Sequence, residues 1–183
     1  MIKMDGKDGL IPDGVIQAAG LMEIAARTAP KSRGEDFIEI KTITGKAVRD
    51  LAEAMMRFGL EMKKSNFDRD GRNVAASQAV VLIGLNKSVS LGLDCGACGY
   101  ADCAEFDKAP KVEGEFLGPQ CVYRLVDLGI AVGSAVRTAQ LLNLDNRIMY
   151  RAGVAARWMG LVDWDYVLGI PLSVTGKNIY FDR

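Results

Sequence analysis

The sequence predicts an α+β fold: a single layered domain in which a mixed or antiparallel sheet is flanked by helices. Stretches with apolar residues three and four apart outnumber the alternating or unbroken apolar stretches. The two kinds are interleaved without a regular strand-helix-strand order. No internal repeat, low-complexity tract or long Pro/Ser linker divides the 183 residues, and a chain of this length buries roughly 70% of its unfolded surface. Residues 1–183 therefore read as one domain.

Taken in order, Val15, Ala18, Ala19, Met22, Ala25 and Ala26 predict a helix over 14–28 that ends before Pro30. Over 37–43, Ile38 and Ile40 alternate with Glu39 and Lys41, and Gly45 follows as a breaker, which predicts a half-buried strand. Val48, Leu51, Met55, Phe58 and Met62 make 46–64 an amphipathic helix whose methionines pack into the core. Asp68-Arg69-Asp70-Gly71 opens like a calcium loop, but Asn73 and Ala79 stand where glycine and glutamate are needed, so the segment reads as a turn. The run AVVLIGL over 79–85 predicts a central strand covered on both faces. Residues 121–142 carry apolar side chains at too many angles for a surface helix and predict either the buried centre of the domain or a subunit interface. Another helix is expected over about 146–158. Tyr166-Val167-Leu168 and Asn178-Ile179-Tyr180-Phe181, around Gly169, Pro171 and Gly176, predict two late strands joined by a turn.

Lys plus Arg and Asp plus Glu each number 23, so no long-range positive field gathers phosphates, and nucleic acid and anionic membranes are not expected partners. No apolar stretch approaches the roughly 20 residues that cross a bilayer. The opening MIKMDGKDG lacks the charged-then-apolar run of a secretory signal. A cytoplasmic location follows as the expectation, with disulfides disfavoured. The chain has no histidine, which excludes Ser-His and Cys-His nucleophile pairs, imidazole bases and His-ligated metals. Metal chemistry is left to thiolates and carboxylates.

All four cysteines, Cys95, Cys98, Cys103 and Cys121, crowd into one stretch, with three of them in DCGACGYADC and the fourth in GPQCVY. Four thiolates so spaced can hold a 4Fe-4S cube, because each iron needs one sulfur ligand and short spacers let one loop wrap three corners. Gly96 and Gly99 suit such wrapping, and backbone N–H groups freed there can point at sulfur. A four-thiolate zinc site usually has two Cys-x2-Cys knuckles, and the second is missing here. Zinc, buried free thiols and disulfides stay open on spacing alone. Residues 94–121 are the candidate metal segment. Asp94, Asp102, Glu105, Asp107, Glu113 and Glu115 against Lys108 and Lys111 predict a low reduction potential and a basic docking face on the redox partner. Arg147, Arg151 and Arg157 form a candidate basic helix face.

The stretch Cys95-Gly96-Ala97-Cys98-Gly99-Tyr100-Ala101-Asp102-Cys103-Ala104-Glu105-Phe106 resembles the four-cysteine iron-sulfur module of corrinoid iron-sulfur proteins and of electron-transport subunits of anaerobes. Together with DLGIAVGSAV, DNRIMYRAGVAA and LGIPLSVTGKNIYFDR, it makes the chain similar to a family of uncharacterised ferredoxin-domain-containing proteins. The order AARTAPKSRGEDFIEIKTITGKAVRDLAEAM, then VDLGIAVGSAVRTAQLLNL, then LGIPLSVTGK, resembles nitroreductase-like flavoproteins. That second resemblance implies a nitroreductase-like sheet with the cysteine loop as an insert, a homodimer around the 121–142 helix, and FMN with its phosphate where Arg33 and Lys177 converge. The chain departs from the pattern at two places: the Arg-Arg-Ser-x-Arg anchor is missing, and Ser32-Arg33-Gly34-Glu35-Asp36 replaces Asn-x-Gln-Pro. The function expected is a 4Fe-4S redox or electron-transfer protein, with reductase activity if a flavin or substrate pocket is kept. Its rival is a zinc- or cluster-stapled interaction module without redox chemistry.

Overall fold

The computed structural model describes residues 10–181; the opening MIKMDGKDG, read above for the absence of a signal, falls at 1–9 and lies outside the described residues. Helix α1 (Ile11–Thr28), started by a proline in its first turn, leads through a 3-10 turn at Ser32–Gly34 into strand β1 (Ile38–Thr44). Helices α2 (Lys46–Glu61) and α3 (Phe67–Ala75) follow, then strand β2 (Ala79–Leu85). The chain next leaves the sheet for a long excursion that holds the short helix α4 (Cys103–Lys108) and the hairpin β3 (Val112–Glu113) and β4 (Leu117–Gly118). It returns as α5 (Val122–Leu141), β5 (Asp145–Asn146), α6 (Tyr150–Trp158) and β6 (Tyr166–Ser173).

The main sheet has the order β1-β2-β6-β5, with every neighbouring pair antiparallel. Strand β2 is buried at each of its positions, and its alternation divides the core in two. Val80 and Leu82 face α2 and α6 with Met55, Phe58 and Val154, whereas Val81 and Ile83 face α1 and α5 with Met22, Leu128 and Ala135. This is the expected layered α+β architecture, with helices on both faces of an antiparallel sheet. Helix α6 lies directly on β6, because a Cβ on Gly153 would stand 1.9 Å from the Val167 carbonyl oxygen. Only hydrogen fits there.

Three sequence expectations change. Met62, expected on the core face of the second helix, stands just past the end of α2 and is 52% exposed. The Asp68–Gly71 turn is the first half of α3. Phe67 and Val74 are its only large buried apolar residues, too few for a visible period, and Asp70, 2% exposed, is held by Arg69 at 2.7 Å and Arg151 at 2.9 Å. The two late strands are one, β6, which runs through Gly169 and Pro171, whereas 178–181 form no strand. Gly169 exchanges hydrogen bonds with Met149 on the side away from β2. Pro171 has the same parity, so its missing N–H faces a break in pairing between Met149 and β5 and costs no ladder bond.

Candidate metal centre

The excursion starts and ends at one end of the sheet, where Asp165 ties its two roots together. The Lys87 N–H donates to the Asp165 carboxylate at 3.1 Å and the Gln120 side-chain amide does so at 3.4 Å. The Leu117 N–H donates to the Asp165 carbonyl at 2.9 Å, and the Ser88 hydroxyl donates to the Gln120 side chain at 3.0 Å. Between these roots the backbone curls through positive φ at Asp94 (48°), Gly96 (66°) and Gly99 (89°). Such angles favour glycine at the latter two positions. The curl lets the Asp94 carboxylate accept from the Cys103 N–H at 2.8 Å, while the Asp94 N–H points at the Cys103 Sγ at 3.4 Å. Asp102 caps α4 by accepting from the Glu105 N–H at 2.7 Å.

The four cysteines line one cleft, together with Leu91, Leu93 and Phe106. Cys95 is exposed, Cys98 and Cys103 are half-buried, and Cys121 is buried at the N-cap of α5. Leu91, Phe106 and Cys121 form a small core of their own, against which Cys98 and Tyr100 pack. The Tyr100 ring stands edge-on to Phe106 at 5.6 Å. Among the described residues no three His, Cys, Asp or Glu side chains gather closely enough to hold a single metal ion. Four thiols lining one cleft fit the donor set of a cluster whose four irons each take one sulfur.

The acidic rim is smaller than the sequence suggests. Glu113 pairs with Arg157 at 2.9 Å and Glu115 with Lys64 at 3.2 Å, both on the body of the protein. Asp94, Asp102, Glu105 and Asp107 remain beside the cleft, against Lys108 and Lys111, and Asp107 accepts from Ser90.

Sequence reasoning missed Arg124. It is 0% exposed and joins three segments. Its guanidinium donates to the Val89 carbonyl at 3.1 Å, to the Ser32 carbonyl at 3.2 Å and to the Glu35 carboxylate, and it lies 4.6 Å from the Phe37 ring centroid. Asp127, one turn on, accepts from the Ser32 N–H and hydroxyl at 2.9 and 2.8 Å. Arg33 adds a clip of its own to the Leu91 carbonyl at 2.9 Å. The available signal was an oppositely charged pair three apart inside an otherwise apolar helix.

The structure does not bring Arg33 and Lys177 together within the chain. Arg33 precedes Ile38, which pairs with Leu85, whereas Lys177 follows Leu172, which pairs with Ala79 at the other end of β2. Seven residues of strand separate the two ends, roughly 20 Å at 3.4 Å per residue.

A family model described as "Uncharacterized protein containing a ferredoxin domain (DUF2148)" matches residues 117–183, which include Cys121. An uncharacterized protein of Archaeoglobus fulgidus is 47% identical over 171 residues, 93% of this chain and 92% of the relative. Among solved structures, a nitroreductase with bound FMN from Desulfitobacterium hafniense shares the fold at a TM-score of 0.55 and 13% identity, over 90% of this chain and 79% of that one. An FMN-dependent nitroreductase from Mycobacterium smegmatis, in complex with NADPH, does so at 0.58 and 9%, over 90% and 81%. The chain covers 59% of nitroreductase A from Vibrio parahaemolyticus, at a TM-score of 0.55 and 14% identity over 88% of this chain. The fold is nitroreductase-like.

Proposed function

Because the chain belongs to the family of uncharacterized proteins containing a ferredoxin domain, we propose that Cys95, Cys98, Cys103 and Cys121 hold one 4Fe-4S cluster and that the protein carries electrons. The observation that carries the proposal is the single cleft lined by all four thiols, although Cys121 comes from a different element. A 4Fe-4S cluster supplies one-electron storage at a potential set by its surroundings.

The chain's own residues do the rest. The Asp94 N–H donates toward Cys103 sulfur and lowers the cost of negative charge there. Cys121 sits at the positive end of the 20-residue α5. Leu91 and Phe106, both nearly fully buried, keep water from one side of the cleft. Exposed Cys95 leaves the other side open for electron exchange, and the carboxylates of Asp94, Asp102 and Glu105 suit a partner with a basic docking face in the cytoplasm. No described helix is long and apolar enough to cross a membrane.

We further propose a homodimer through α1 and α5. Ile16, Leu21, Ile24, Val126 and Ile130 are exposed there. A Cβ added at Gly129 or Gly133 would meet nothing within 4 Å, so a second backbone can come close.

The test is anaerobic reconstitution with iron and sulfide. The cluster reading expects about four irons per chain and broad absorption near about 400 nm that bleaches with dithionite. A colourless protein carrying stoichiometric zinc would overturn it in favour of a stapled interaction module.

A further inference from the structure

On the face of the sheet away from α1 and α5, the β3–β4 hairpin leans on the body. Phe116 stacks on Tyr166 at 4.1 Å and approaches Tyr150 at 6.3 Å. Between this hairpin, α2, α6 and the loop after α6 lies a cleft of about 500 Å3, within the roughly 300–1,000 Å3 of small-molecule sites. Its apolar walls include Phe58, Val154 and Val162, all buried, and the Phe58 and Trp158 rings meet edge to face at 5.7 Å. Aromatic and aliphatic surface of this kind receives a ring.

The polar lining is lopsided: three carboxylates, Glu113, Glu115 and Asp163, against the single guanidinium of Arg157. Arg157 is already engaged, donating to the Glu113 carboxylate at 2.9 Å and to the Glu115 carbonyl at 3.1 Å. Glu115 is fixed by the Tyr150 hydroxyl, which donates to its Oε2 at 3.0 Å. Its Oε1 is shielded from solvent, faces Lys64 at 3.2 Å and accepts no hydrogen bond. Asp163 is exposed and has no ion-pair or hydrogen-bond partner among the described residues. Arg157 and Lys64 pair with Glu113 and Glu115, which leaves Asp163 as the lining carboxylate without an ion-pair partner among the described residues, while Lys41 Nζ donates to the Leu161 carbonyl on the same loop at 3.0 Å. The exposed Arg57 guanidinium lies 5.2 Å from the Trp158 ring centroid, so this ring already attracts a cation on its face. The unpaired Asp163 carboxylate opposes an anion.

We propose that this cleft binds a small organic cation of the arylalkylammonium class, its ring on Phe58 and Trp158 and its ammonium group between Asp163 and Glu115. The site contains no cysteine, so it stands independently of the cluster. Because Glu113 and Glu115 belong to the segment between Cys103 and Cys121, the ligand touches the cysteine-bearing excursion as well as the body.

Calorimetric titration of the full chain with phenethylammonium, benzyl alcohol and benzoate separates charge from ring. Phenethylammonium should bind at least about tenfold more tightly than the neutral probe, and benzoate should not bind. Asp163→Lys, at an exposed position where the fold is not at stake, should weaken phenethylammonium about tenfold and admit benzoate. Circular dichroism checks that the variant is folded. Equal binding of the three probes would mark an apolar patch without charge selection and would overturn the proposal. So would no binding of phenethylammonium at about 10 mM, or an unchanged affinity in the folded Asp163→Lys variant.

Discussion

Replacing Arg124 with alanine strikes the buried anchor of the cysteine loop. The side chain is 0% exposed and its partners come from α5, from the turn before β1 and from the loop before Cys95. Removing one partner of a buried ion pair costs about 3–5 kcal/mol, because the other charge is stranded. Two features place this case toward the lower end. Glu35, at 48% exposure, can turn to water, and Asp127, at 4% exposure, keeps both bonds from Ser32. The Val89 and Ser32 carbonyls lose their donor and a cavity opens, adding about 1 kcal/mol. The sum, about 4 kcal/mol, is a large part of the roughly 5–15 kcal/mol that holds a domain together. At about 2–4 °C per kcal/mol for a chain of this size, Tm should fall by about 8–16 °C. Thermal melts of the metal-free, reduced protein measure this without any contribution from a cluster. Arg124→Lys keeps the charge but not the planar fork and should fall between the two. A melt of the alanine variant within about 3 °C of the parent would refute the anchoring role.

Cys121→Ala should lower iron after reconstitution from about four to at most three per chain, and unchanged iron and spectrum would remove Cys121 from the ligand set. The midpoint potential should lie below roughly −300 mV, since four carboxylates face two lysines at the cleft even after Glu113 and Glu115 are paired away; a value above zero would show that hydrogen bonds to sulfur outweigh them. Light scattering should give about twice the 19.8 kDa chain mass, and Ile130→Glu, on the outward face of α5, should return the single-chain mass. Burial pushes the Asp36 carboxyl up, but bonds from Arg27 and the Ile38 N–H, with the charges of Lys31 and Arg27, hold it below the usual value on balance. A depressed carboxyl contributes stability that is present above its unfolded pKa, about 3.9, and is lost as pH falls through the folded value. Asp36→Asn should therefore flatten the stability curve below about pH 4 in urea titrations, and an unchanged acid limb would assign the loss to other carboxylates.

The fold was legible where burial has a period. The two-sided burial of β2 showed as an unbroken apolar run, and the apolar stripe of α2 showed at three and four. Helix α3 was not legible, because its buried Asp70 replaces an apolar core residue with a charge held by Arg69 and Arg151. Its partners decide such a helix, and of these Arg69 is adjacent whereas Arg151 comes from 81 positions away on α6. The glycine and proline inside β6 read as breaks for a similar reason. Gly169 answers the approach of Ala152 on α6, and Pro171 sits where no partner asks for its N–H, facts of the neighbouring elements rather than of the strand.

The gathering of the four cysteines into one cleft was legible because their spacing is a local property, whereas the support of their loop was not. The six acidic residues counted along the chain divide in space, since Glu113 and Glu115 turn to Arg157 and Lys64. The antiparallel register sets Ile38, five residues after Arg33, and Leu172, five residues before Lys177, at opposite ends of β2, which order along the chain does not reveal. The excursion from residue 86 to 120 has only Leu91 and Phe106, with Cys121 at its root, as a buried core. The polar clips at its roots, Asp165 below and Arg124 beside it, hold the segment to the body. A loop fastened in this way sets Cys95 at the surface and Cys121 in a buried seat, while the sandwich beneath it keeps its own core.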